Sequence, residues 1–106
     1  MNNVIPWTVP EDHPSFAGHF PGNPTLPGVV LLDVALHNIA TASSVSLDLC
    51  TISSVKFLSP ALPNDELLIH HSLSNNGTIH FDIACGSRKI ASGRIMINSA
   101  ESTLTV

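Results

Sequence analysis

Between His19 and His37 the sequence gathers the residue types that proton transfer needs. His19 opens the run His19-Phe20-Pro21-Gly22-Asn23-Pro24-Thr25-Leu26-Pro27-Gly28, and Asp33 and His37 follow within an apolar stretch. From Pro21 to Gly28, three prolines and two glycines specify a rigid, irregular loop that holds side chains and backbone groups in place at little entropic cost. One end of that loop carries an imidazole. The other end meets the start of a helix, where unpaired N–H groups and the positive end of the dipole favour developing negative charge.

Asp33 admits two readings. Surrounded in sequence by Leu31, Leu32, Val34 and Ala35, a buried carboxyl would have its pKa raised by desolvation, as a general acid requires. An Asp near a helix start can equally be stabilised by the dipole while facing solvent. His37 lies one turn further along the same face, within reach of Asp33.

These groups must be positioned by the elements around them. Residues 1–28 hold six of the eight prolines, which favours short extended pieces, with an edge strand over Val4–Thr8. From Gly28 to about Ser43 there is no proline and no clean polar face, so a helix buried on most sides is predicted, with Pro27 and Gly28 at its N-terminal edge. Its valines lower intrinsic helix propensity, so burial must hold it. After the helix the period becomes two. Val45, Leu47, Leu49, Val55 and Phe57 alternate with polar residues, as do Leu67, Ile69, His71 and Leu73, while Ile79, Phe81, Ile83 and Cys85 share one strand face. Asn75-Asn76-Gly77 predicts a type I′ hairpin, Gly86-Ser87 a second turn, and Lys89–Asn98 the last strand. The expectation is an α+β domain over residues 1–106, one long helix on an antiparallel sheet, with 99–106 a fraying tail.

Composition narrows the function. With 43% hydrophobic and 11% charged residues the chain is not of the disordered class, and its lightly charged surface suggests a covering partner subunit. Lys56, Arg88, Lys89 and Arg94 are the only cations at a net charge of −4, too few to neutralise nucleic-acid phosphates. The start has no basic segment of a signal peptide, and the longest apolar run, Val29–Leu32, is too short to cross a bilayer. Two cysteines make no disulfide framework, so Cys50 and Cys85 are expected free, in a cytoplasmic protein. His70 and His71 point to opposite strand faces and cannot chelate one metal ion together.

The run His19-Phe20-Pro21-Gly22-x-Pro24-x-x-Pro27-Gly28-Val29-x-x-x-Asp33 resembles the active-site segment of the 3-hydroxyacyl-ACP dehydratases of type II fatty-acid synthesis. The likeness continues through Val55-Lys56-Phe57-Leu58-Ser59-Pro60 and Pro63-Asn64-Asp65. It implies a hot-dog fold, a curved antiparallel sheet wrapped around the central helix, and conversion of (3R)-3-hydroxyacyl thioesters to trans-2-enoyl thioesters. By the same resemblance, His19 is the base at C2 and Asp33 the acid that protonates the departing C3 hydroxyl across a dimer interface. The Gly28 N–H stabilises the thioester oxyanion. Imidazole cannot remove a C2 proton without that stabilisation, and hydroxide leaves badly unless protonated. A positioned acid or base contributes about 10²–10⁴-fold, and one oxyanion donor about 3–4 kcal/mol. Asp33 stands where the commoner branch of the family has Glu. His37 stands where the family usually has Gln on the carboxylate, and a protonated His37 would favour the ionised Asp33.

The resemblance further implies no metal and no organic cofactor, the substrate riding on the phosphopantetheine of an acyl carrier protein. It also implies a homodimer or a higher oligomer. Phe16, Phe20 and Leu26 are candidate linings of an acyl tunnel, with core filling the competing role for Phe16. Lys56, Arg88 and Lys89 are the candidate docking cations for an acidic carrier. Two alternatives stand beside the dehydratase: an acyl thioesterase in which Asp33 activates water, and a non-catalytic acyl- or carrier-binding protein of the same fold.

Overall fold

In a computed structural model of the chain, residues 2–12 and 25–98 are described. Strand β1 spans Asn2–Thr8 and helix α1 Gly28–Ala42; a one-turn 3₁₀ helix at Leu47–Leu49 leads into β2, Cys50–Phe57. Strands β3 (Glu66–Leu73), β4 (Thr78–Cys85) and β5 (Arg88–Ile97) follow. They form one antiparallel sheet in the order β1-β3-β4-β5-β2, so β1 and β2 are its two edges. This is the α+β arrangement predicted above, with β1 at an edge.

The helix occupies the proline-free stretch. Pro27 caps its start through the backbone alone, its carbonyl accepting from the N–H groups of Val30 and Leu31 at 3.0 and 3.1 Å. Its end is set by geometry that has no Gly or Pro signal. Ser44 adopts φ 56°, its N–H donates to the Thr41 carbonyl, and the Val45 N–H donates to that of Ala40, the paired bonds of a Schellman stop. Ser44 thus does work usually left to glycine. The chain then makes a 3₁₀ turn before entering the sheet, so the strand expected to begin at Val45 begins at Cys50.

Leu31, Ala35 and Ile39 of α1 join Leu67 and Ile69 of β3, Ile79, Phe81 and Ile83 of β4, and Ile90 and Ile95 of β5 in one buried cluster. Each large side chain buried there stabilises the fold by about 1.5–3 kcal/mol. Period two does the sorting: Leu67, Ile69 and His71 are buried while Leu68 and His70 are exposed. The helix is not buried on most sides, however. Only Leu31, Ala35, Ile39 and Ala40 are buried; Val30, Leu32 and Leu36 are half-buried and Val29 is 75% exposed. The protomer covers one face of the helix and leaves an apolar stripe outside.

Loop geometry also differs from expectation at Asn75–Gly77. Asn75 and Asn76 keep negative φ and only Gly77 is positive, at 84°. Ser74 accepts from the Gly77 N–H, and its own N–H donates to Thr78. The loop is a three-residue turn closed by a glycine bulge, not a two-residue type I′ turn.

Candidate active site

Four hydrogen bonds hold the approach to the helix. The Leu26 N–H donates to the Ala61 carbonyl at 2.8 Å, tying the last loop residues to the segment after β2. That segment is clamped in turn by Arg88, whose Nη1 donates to the Pro60 carbonyl at 2.9 Å and whose Nη2 meets Asp65 Oδ2 at 2.6 Å. Asp65 Oδ2 also accepts from the Leu62 N–H. The Pro63-Asn64-Asp65 turn therefore acts as a buckle beneath the start of α1, with Asn64 in the left-handed region at φ 70°.

Gly28 is the first residue of the helix, where an N–H has no intrahelical acceptor. The ring of Phe57 lies over it: a Cβ at Gly28 would come 2.8 Å from Phe57 Cζ. Beside this contact runs a groove of about 570 Å³ lined by Leu26, Pro27, Val29, Phe57, Leu58 and Ala61. Leu26, expected in an acyl tunnel, is 4% exposed and borders this groove. An apolar channel next to the first amide N–H of a helix is suited to an acyl thioester, chain in the groove and carbonyl oxygen at the helix end.

Asp33 lies one turn past Val29 on the exposed stripe of α1. Its side chain is 70% exposed, so of the two readings of Asp33 the chain by itself realises the one that faces solvent and supplies no desolvation. The reason is the helix orientation: the positions that face the sheet are 31, 35 and 39, and Asp33 points away from them. His37 is where the spacing placed it. Its Nδ1 lies 2.8 Å from the Asp33 carbonyl oxygen and 3.4 Å from Asp33 Oδ1.

His19, Phe16 and Phe20 lie outside the described residues, so their expected roles carry no geometry here. Of the three docking candidates, Lys56 and Lys89 are exposed, whereas Arg88 is engaged in the buckle. Among the described residues no three His, Cys, Asp or Glu side chains gather as a ligand set. His70 is exposed and His71 buried, on opposite sides of β3. Cys50 and Cys85 are free and half-buried, and burial pushes the Cys50 thiol up. No described helix is long and apolar enough to cross a membrane.

Phe57 was read in the sequence only as a strand residue. Its signal was the glycine it covers: Gly28 is the first helical residue after the capping Pro27, where a glycine weakens the helix. The close approach of Phe57 explains a glycine there.

Comparison with known proteins identifies relatives of the chain. The family model of ApeI-like proteins, described as ApeI dehydratase, matches residues 2–94. The 3-hydroxyacyl-[acyl-carrier-protein] dehydratase FabZ of Bartonella bacilliformis is 36% identical over 73 residues, 61% of this chain and 47% of that protein. The chain spans about half the length of the curated relatives it matches. Among solved structures, the dehydratase heterocomplex ApeI:P from Xenorhabdus doucetiae is similar with a TM-score of 0.75 at 24% identity, over 92% of this chain and 88% of that one. The fluoroacetyl-CoA thioesterase FlK gives 0.69 at 15% identity, over 99% and 92%. At those identities the structural likeness establishes the hot-dog fold alone. The family match goes further: residues 2–94 of the 106 fit a single family description, and the chain belongs to the ApeI-like dehydratases.

Proposed function

We propose that this chain dehydrates 3-hydroxyacyl thioesters to trans-2-enoyl thioesters, working as a homodimer on substrates carried by an acyl carrier protein. The observation that carries this reading is the pairing, on one helix, of an amide-rich end at an apolar groove with a carboxyl on the outward stripe. In the proposed reaction His19 removes the C2 proton while the Gly28 N–H takes up charge on the thioester oxygen. Asp33 protonates the C3 hydroxyl as it leaves as water. No metal or organic cofactor is required, since each proton has a named donor and acceptor in the chain.

A second copy serves two needs. It covers the apolar stripe of Val29, Leu32 and Leu36, and it shields Asp33 from bulk water. Sheet edges left bare at β1 and β2 are further surfaces that a second copy could cap.

The test follows the reverse reaction. Wild-type protein given a trans-2-enoyl thioester should hydrate it, with loss of the conjugated ultraviolet absorbance. His19→Ala and Asp33→Asn should each lose about 10²–10⁴-fold in rate. Release of free thiol instead of hydration would assign the chain to the thioesterases, and wild type as inert as both variants would leave a non-catalytic binding protein.

A further inference from the structure

We infer that His37 is the proton feed of Asp33: its Nε2 takes a proton from solvent, and its Nδ1 delivers one to the Asp33 carboxylate after each turnover. The inference rests on the dehydratase reading and adds a residue to it.

The tautomer is fixed by geometry. A carbonyl oxygen can only accept, so the 2.8 Å contact between His37 Nδ1 and the Asp33 carbonyl requires the proton on Nδ1. In the neutral ring Nε2 then carries a bare lone pair. The side chain of His37 is 57% exposed in the protomer, so a proton has a route to it from water. The same Nδ1 is 3.4 Å from Asp33 Oδ1. The half-exposed imidazole therefore meets the acid through the nitrogen that carries its proton, and Nε2 is left for exchange. Asp33 and His37 are the two ionisable side chains of α1, so no other group of the helix competes for the proton.

The reaction creates the need. Dehydration leaves His19 with an extra proton and Asp33 without one. His19 returns its proton to solvent, and Asp33 must regain one before the next substrate. Solvent protonates His37 Nε2, the imidazolium passes its Nδ1 proton to Oδ1, and a neutral ring remains with its proton on Nε2. Exchange with water resets the tautomer. No bond other than N–H and O–H is made or broken, and the proton count balances. The relay matters in an assembly that covers Asp33 and leaves the edge of the His37 ring open to water; in the uncovered chain Asp33 is itself the more exposed of the two.

His37 acts through Asp33 and is a positioning and relay residue. Glutamine supplies an N–H of similar reach but cannot relay a proton, so His37→Gln separates the two roles. In weak buffer, kcat of His37→Gln should fall about tenfold or more. It should recover as imidazole or another small buffer is raised, while wild type stays insensitive to buffer. Thermal melts of both proteins should coincide, which excludes a folding defect. Independently, the ¹⁵N spectrum of neutral His37 should show the proton on Nδ1. Equal rates for both proteins at every buffer concentration, or a proton resident on Nε2, overturns the relay while leaving the dehydratase intact. A wild-type chain that hydrates nothing removes both.

Discussion

The ring of Phe57 covers the first residue of the helix so closely that Gly28 has no room for a side chain: a Cβ would lie 2.8 Å from Cζ and 3.0 Å from Cε1. The last residue of an edge strand thus fixes what can stand at the helix start. The apolar groove and the first N–H of the helix meet at this contact.

Gly28→Ala should therefore damage turnover more than stability. Alanine favours a helix over glycine by about 1 kcal/mol, and Phe57, half-exposed, can swing outward to relieve the clash. That movement opens the groove at the thioester end. The expected result is a melting temperature close to wild type with enoyl hydration reduced at least about tenfold; full hydration activity would show that the contact is not part of the site.

Gly93→Ala should do the opposite and unfold the sheet. A Cβ there would meet the Ser54 carbonyl oxygen at 2.6 Å and Phe81 Cζ at 2.7 Å. Phe81 is 2% exposed in the core and a backbone oxygen cannot swing away. Overpacking of this kind costs about 1–3 kcal/mol, read as a lower denaturation midpoint. A midpoint equal to wild type would mean that β5 and β2 can spread apart.

His71 should make the fold acid-sensitive. It is 4% exposed on β3, its Nε2 has no partner among the described residues, and burial pushes its pKa below the ordinary value. The unfolded chain binds its proton near pH 6.5, whereas the folded chain does so only at lower pH. Stability is therefore full above about pH 6.5 and is lost as pH falls through that value toward the folded pKa. Relative to wild type, His71→Val should gain stability on going from about pH 8 to about pH 5. Identical differences at both pH values would show that His71 titrates freely.

The exposed cations divide into two kinds. If a carrier protein docks on Lys56 and Lys89, charge reversal at either should raise KM for the carrier-linked substrate. KM for a small pantetheine thioester should be unchanged. Arg88→Gln should instead lower the melting temperature, because it releases Pro60 and Asp65 from the buckle. Unchanged KM in both lysine variants would remove docking at these residues.

Much of this was legible in the sequence. The helix from Gly28, the hairpin-linked strands after it and the opposite facing of His70 and His71 follow from local rules: proline breaks helices, and strand side chains alternate. The spacing from Asp33 to His37 put the two on one helix face, one turn apart. Other features had no local signal. Ser44 in the left-handed region reads as an ordinary serine, and Leu47 and Leu49 fit a strand period as well as a 3₁₀ turn. Arg88 looked like a free cation until Asp65, 23 residues away, stood beside it.

Residue order by itself determined which elements exist and which residue types could move protons, because both depend on neighbours along the chain. Tertiary structure decided what lies across from each group: Phe57 on Gly28, Arg88 on Asp65, and Asp33 turned outward. An apolar helix announces that it will be covered, since water penalises every face equally. It does not announce by what. Only the direction of the helix on the sheet settled that the chain covers Leu31, Ala35 and Ile39 itself and leaves the stripe bearing Asp33 uncovered.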